Sequence, residues 1–306
     1  MYEPLSGIDH VKARLGYTDY HHTEITNQQA GAYFENQTFE ARLEAHHNAF
    51  GPISGLLGVQ AITGTTQAFE IADGSAILPK TDNHSIGLFA VENWQHGDIS
   101  VQFGSRIDPT LLTPQGLQSI AFVPISAALS GKWSLSQSHA LTLGLSRGAR
   151  APTVQELFTN GYHDATRSYE VGNHELQLET QYNLDASYQF KGENFRFELN
   201  GFHVWAEDFI YQQRTGNFIS IEGIDRPVLA YGQQNAVLKG YEARLSLPLT
   251  DDHWITELSL FSDYTRAQFV AGGDVPRIPA LRYGLEIQAQ RAAWSSFIRL
   301  SRFENQ

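Results

Sequence analysis

Cysteine is missing from the 306 residues and methionine occurs once. Disulfides and thiolate metal sites are therefore excluded, and imidazole and carboxylate remain as the strong metal ligands. No stretch reaches the roughly 20 apolar residues of a transmembrane helix, so a membrane reading of this sequence has to be a β-barrel. Basic charge is scarce: 21 Lys and Arg stand against 33 Asp and Glu, a net charge of -12. Without a basic stripe to neutralise phosphates, a nucleic-acid partner is excluded. The acidic balance suits attraction of cations and ordinary solubility equally. No His-Glu-x-x-His motif occurs and no nucleophile elbow is read, so the chain is expected to be a non-enzyme. Met1 is followed by Tyr2-Glu3-Pro4, without the charged and apolar regions of a signal peptide. The expectation is a mature chain or a piece of a longer one.

What is present is alternation. Leu176, Leu178, Tyr182, Leu184, Ala186, Tyr188 and Phe190 share one parity, and Gln177, Glu179, Gln181, Asn183, Asp185, Ser187 and Gln189 the other. As a strand, this stretch has one apolar face and one polar face. The pattern lasts about fifteen residues, whereas strands of soluble sandwiches run five or six and a barrel strand needs roughly 9–11 to cross the hydrocarbon. Similar stretches cover Gly7 to Tyr20, Gln37 to Asn48, Ser54 to Glu70, Ser85 to Trp94, Ile99 to Arg106, Val123 to Ser136 and Leu141 to Gly148. Others cover Phe195 to Gln213, Ala236 to Leu249, Ile255 to Phe269, Tyr283 to Gln290 and Trp294 to Ser301. Long connectors alternate with short ones such as His96-Gly97-Asp98, Gln137-Ser138, Gly192-Glu193-Asn194 and Thr250-Asp251-Asp252. Long extracellular loops and short periplasmic turns are how outer-membrane barrels are built. The fold class is therefore all-β, an antiparallel transmembrane β-barrel segment of about 13 strands.

Between two of these strands runs Arg150-Ala151-Pro152-Thr153, then Glu156-Leu157-Phe158, Gly161-Tyr162-His163, Glu170-Val171-Gly172-Asn173, and finally Leu176 and Glu179. This series resembles the hallmark segment in the barrel of TonB-dependent outer-membrane receptors. The wider chain resembles their zinc-uptake branch, through SGIDHVKARLGYTDYHHTEI and FEARLEAHHNAFGPISGLLGVQ. The resemblance implies a 22-strand barrel around a plug in the parent protein. This chain then supplies a truncated barrel without a plug domain, as a single partial barrel over residues 1–306. It further implies residence in the bacterial outer membrane, contact with its lipid, coupling to the TonB complex through the parent's plug, and energy-coupled import of a metal or metal complex. No resident cofactor is required. Zinc is the favoured cargo, with haem or siderophore iron as alternatives within the superfamily, and a passive porin is the alternative of another class. Haem receptors carry a histidine between the two hallmark pieces, where His163 stands.

Twelve histidines occur. Grouped by expected level, His21, His22 and Glu24 begin the first long loop, Asp82 and His84 end the second, and His163, Asp164 and His174 lie in the hallmark loop. These eight are the candidate metal ligands. Adjacent His21 and His22 point to opposite faces if they remain in a strand, so a shared ion requires a loop there. Loop histidines are also commonly just solvated. His46, His47, His96, His139 and His253 fall near short turns, and His203 shares parity with Phe197 and Leu199 on the outer wall. The hallmark residues Arg150, Pro152, Glu156, Leu157, Glu170, Gly172, Asn173 and Glu179 read as structural, with Pro and Gly setting the loop's ends and Glu156 facing the first turn of a short helix.

Overall fold

A computed structural model describes residues 7–26, 28–221, 223–250 and 254–304. The opening Tyr2-Glu3-Pro4, the turn at Asp251-Asp252, His253 and the final Asn305-Gln306 lie outside these residues. Among the described residues seventeen strands form one sheet. They are β1 (Ile8–Thr26), β2 (Gln29–His47), β3 (Ile53–Glu70), β4 (Ala76–His96), β5 (Ile99–Ile107), β6 (Thr110–Pro114), β7 (Ile120–Phe122), β8 (Ile125–Ser134) and β9 (His139–Arg150). After the short helix α1 (Val154–Phe158) come β10 (Asn160–His163), β11 (Ser168–Val171), β12 (Glu179–Lys191), β13 (Arg196–Ile221), β14 (Ile224–Thr250), β15 (Ile255–Phe269), β16 (Arg282–Arg291) and β17 (Trp294–Phe303).

Two pairs of these are single strands of the wall. β4 pairs with β5 along its lower half and with β6 along its upper half. Pro109, between β5 and β6, and Pro124, between β7 and β8, lack the N–H that would continue the ladder. With β10 and β11 belonging to the hallmark loop, the wall has the thirteen antiparallel strands expected. β1 pairs with β2 and β17 with β16, and among the described residues neither has a second partner, so the sheet is open.

Period-2 alternation sorts the wall. Val11, Leu15 and Tyr17 on β1 meet Ala45, Ala41 and Phe39 on β2 across the outer face. On the other side of the sheet Leu145, Leu184 and His203 share one outer row, which confirms His203 as an outer-wall residue. The inner face pairs its charges: Glu44 receives Arg42 at 2.7 Å and Arg14 at 3.7 Å, and Glu286 receives Arg244 at 3.1 Å and Arg299 at 2.6 Å. Exposed aromatics cluster near the short turns (Phe50, Trp133, Trp254, Trp294) and again near the top of the apolar belt (Tyr17, Phe39, Trp205, Tyr283). Such paired girdles mark the two interfaces of a lipid-embedded barrel.

Above the belt the strands continue. The outer row Tyr17, Phe39, Thr63 and His84 is followed upward by Asp19, Gln37, Thr65 and Asp82. The first long loop is thus a tall hairpin, with β1 running to Thr26 and β2 resuming at Gln29. The connector between the stretches Phe195 to Gln213 and Ala236 to Leu249 is likewise a hairpin, with β13 and β14 paired to Ile221 and Ile224. Polar sequences lacking periodicity zip into strands here because each inherits its neighbour's ladder.

One strand starts later than its alternation suggests. β12 begins at Glu179, and Leu176, 2% exposed, turns into an internal apolar cluster with Leu112, Phe122, Leu157 and Phe158 instead of facing outward. That cluster lies on the inner side, where α1 packs on β4.

Leu184→Arg, in the outer row between Leu145 and His203, is expected to destabilise the barrel by about 2–4 kcal/mol, the usual cost of a cation on a lipid face near the midplane. Asn183→Arg on the inner face should cost less than about 1 kcal/mol. Chemical unfolding of the receptor in lipid vesicles distinguishes them, and equal losses would contradict the assignment of faces.

Candidate functional site

The hallmark loop builds the upper interior. Thr153 caps α1: its hydroxyl accepts from the Glu156 amide at 3.2 Å, and the Glu156 carboxylate accepts from the Thr153 amide at 2.7 Å. This reciprocal box stabilises a helix too short to persist alone. The same carboxylate receives Arg150 at 2.9 Å, and Arg150 also reaches Glu179 at 2.8 Å. Glu179, buried, accepts from the Ile210 amide at 2.9 Å. Arg150 thus ties β9, α1, β12 and β13 together, which gives the structural role expected of Arg150, Glu156 and Glu179 a mechanism.

Gly172 explains itself by contact. Its amide donates to Thr159 O at 2.7 Å and the Asn173 amide donates to Glu156 O at 2.9 Å. A Cβ on Gly172 would sit 2.6 Å from the Leu157 carbonyl carbon and oxygen. Glu170, 2% exposed, accepts from the Thr166 hydroxyl at 3.0 Å. Beyond it, β11 joins β14 in parallel, Tyr169 opposite Val228. Leu157 is fully buried, and Pro152, buried ahead of the cap, needs no donor there.

On its far side the loop reaches the first hairpin. The Asp164 amide donates to Glu24 Oε2 at 3.3 Å, and His163 Nδ1 lies 3.6 Å from Glu24 Oε1. Asp164 Oδ2 would be 3.0 Å from a Cβ on Gly31, so β2 is close as well. His22 stacks flat on Phe34 at 4.7 Å, and His163 lies tilted against the same ring at 5.3 Å. His163 Nδ1 and His22 Nδ1 are buried without a hydrogen-bond partner. Glu70, at the top of β3 above the belt, is pushed up from the usual carboxylate range by burial, with Asp164, Asp73 and Glu24 adding to it. Burial likewise raises the Tyr162 hydroxyl, while Arg226, 5.3 Å from its ring centre, opposes the shift.

The eight candidate ligands therefore divide. His22, Glu24, His163 and Asp164 share the inner side of the upper rim. His21 faces outward against Tyr33, His84 Nδ1 bonds the Thr63 hydroxyl at 2.8 Å, and Asp82 accepts from Thr65 at 2.7 Å, all on the outer wall. The expectation that His21, His22, Glu24, Asp82 and His84 lie in loops is corrected: they sit within β1 and β4, where alternation sends His21, Asp82 and His84 to the face opposite His22 and Glu24. His174 packs edge-on against Phe158. Among the described residues no three His, Asp or Glu side chains converge on one point closely enough to ligate an ion.

A cavity of about 510 Å³ adjoins His163, lined chiefly by Phe34, Ile77, Leu78, Leu112 and Pro152, with Asn83 Oδ1 buried beside it without a partner. Phe34 and Asn83 escape a search for metal-binding residue types, and Glu70 stands far from any histidine in the sequence. The available signal is parity, since Ala32 and Phe34 are apolar where β2 otherwise turns polar residues inward.

A family model for the TonB dependent receptor-like β-barrel matches residues 4–304. The chain belongs to that family. The iron-regulated outer membrane virulence protein of Vibrio cholerae is 24% identical over 290 residues, covering 92% of this chain and 42% of that protein. Among solved structures, the copper transporter OprC superposes with a TM-score of 0.74 at 18% identity, over 96% of this chain and 49% of its own length. The siderophore receptor PirA from Acinetobacter baumannii gives 0.68 at 14%, over 96% and 47%. At such identities the structures share the fold, and the TonB-dependent receptor barrel seen here spans less than half the length of each. The family transports and is not enzymatic. Gly144-Leu145-Ser146-Arg147-Gly148 has the spelling of a hydrolase elbow, yet it lies inside β9, where Ser146 accepts from Asn183 at 2.9 Å. A nucleophile needs the exposed strand-to-helix turn that this ladder precludes.

Gly172→Ala is expected to unseat α1, lowering the opening free energy of the Thr159 and Gly172–Asn173 amides by about 1–3 kcal/mol, as for other overpacked contacts. Hydrogen exchange reads this directly. Unchanged protection would mean that the loop is not held by this approach.

Proposed function

We propose that this barrel forms wall and outer loops of an outer-membrane receptor for energy-coupled uptake of a scarce transition metal, with zinc as cargo. The observation that carries the reading is the meeting of Glu24 with His163 and Asp164 across 140 residues of sequence, at the rim where long connectors gather. Imidazole and carboxylate together suit zinc. Glu70 supports a cation there, because a carboxyl raised by burial and by neighbouring acids is one that a metal ion returns to its charged form. Capture of the ion by these side chains draws the β1–β2 hairpin and the hallmark loop together. In the parent protein the plug then moves when the TonB complex pulls, and cargo passes to the periplasm. The transporters of copper and of iron complexes among its structural relatives fit the same class.

A second reading, haem or a siderophore complex, is favoured by the apolar cavity beside His163, which a bare ion leaves empty. In that case His163 is the axial or contacting residue.

Calorimetric titration of zinc into the receptor carrying this barrel, with haem followed separately by absorbance, tests both. Glu24→Gln and His163→Ala are each expected to weaken zinc binding at least tenfold, the usual scale for losing a ligand or its partner. His21→Ala and His84→Ala on the outer face should stay within about twofold. Zinc affinity is expected to fall as the solution is acidified, because protons and the metal compete for the same imidazole and carboxylate groups. Haem binding lost with His163 but no zinc binding would replace the cargo, and neither would remove both assignments while leaving the barrel standing.

A further inference from the structure

The two proline breaks lie side by side. The Asp108 amide donates to Pro124 O at 3.0 Å, so the interruption between β5 and β6 faces the one between β7 and β8, and the wall is indented at that height. Neither proline has a donor to restore the ladder. Leu112 and Phe122 turn inward into the cluster beneath α1, leaving the outer side hollow. The result is an outward-facing concavity of about 670 Å³, lined by Phe39, Ala61, Ile86, Leu111, Ala121 and Val123. Its upper edge is the row Thr63, His84, Leu111 and Ala121, the level at which the outer face changes from apolar to polar.

We propose that this groove is a binding site for one acyl chain of lipid A. It is continuous with the lipid-facing belt, so its occupant comes from the bilayer. It lies at the end of the belt beneath the long connectors, which in this family's architecture is the extracellular end, and the leaflet there is built of lipid A. Phospholipid belongs to the opposite leaflet. Stretches of wall whose outer side chains stand exposed, such as Leu143 and Leu145, give a chain a single surface, whereas the groove adds packing on its sides. The polar rim supplies the matching upper end: the Thr63 hydroxyl and the His84 ring, 2.8 Å apart, stand where the amide and hydroxyl groups at the head of a lipid A chain arrive. Lys80, exposed four residues further up β4, places a cation above that edge.

The test uses the receptor carrying this barrel, in nanodiscs containing lipid A and phospholipid, with lipids retained after mild delipidation counted by native mass spectrometry. The unmodified protein is expected to keep one lipid A. Ala121→Trp, which fills the groove, should reduce that retention at least fivefold, and Leu143→Trp on the exposed wall should not. Equal retention in all three, or a phospholipid retained in its place, overturns the proposal. Because a filled groove can impair folding, a second measurement uses the unmodified receptor and lipid A carrying a photoreactive acyl chain. Cross-links concentrated on the peptides containing Leu111, Ala121 and Val123 support the site, and cross-links spread evenly over the belt overturn it.

Discussion

Every backbone N–H and C=O inside hydrocarbon must be paired by the protein itself, and this requirement underlies the rest of the molecule. It forces continuous antiparallel ladders, the ladders impose alternation, and alternation makes one wall that is apolar outside and charged inside. Even the departures follow from it. Pro109 and Pro124 each remove a donor, and they do so next to each other, so one local interruption is shared instead of two being scattered. The inner charges are satisfied in the same spirit, with Glu44 and Glu286 each placed between two arginines.

The hallmark loop reverses the usual relation of wall and interior. Its apolar side chains, Leu157, Phe158 and Leu176, have no lipid to face and instead form the principal buried cluster with residues from β2, β3, β4, β6 and β7. Arg150 anchors this insertion to the wall at one end, while β11 on β14 and Asp164 on Glu24 hold it at the others. The approach of His163 to Glu24, at 3.6 Å, is longer than these fastenings, and it sets an imidazole beside a carboxylate.

Much of the wall was legible from sequence. The thirteen spans, the inner and outer parity of β12 from Tyr182 onward, and the outward position of His203 follow from period 2 alone. The grouping of the candidate ligands was only partly legible. Residue types suggested eight, but His21, His22, Glu24, Asp82 and His84 proved to belong to strands that continue above the belt, and a strand sends neighbours to opposite faces. Polar tall hairpins carry no hydrophobic period, so nothing local announced them.

Sequence by itself determined the faces of the wall, the family through the spacing of Arg150, Glu156, Gly172, Asn173 and Glu179, and the restriction of metal chemistry to imidazole and carboxylate. These are properties of composition and of neighbours one or two residues apart. Tertiary structure alone decided that Glu24 meets His163, that Leu176 turns inward, and that two prolines fifteen residues apart hollow the outer wall at one height. Each of those depends on strand register between distant segments, and register is set by the whole ladder, which no single stretch of the chain contains.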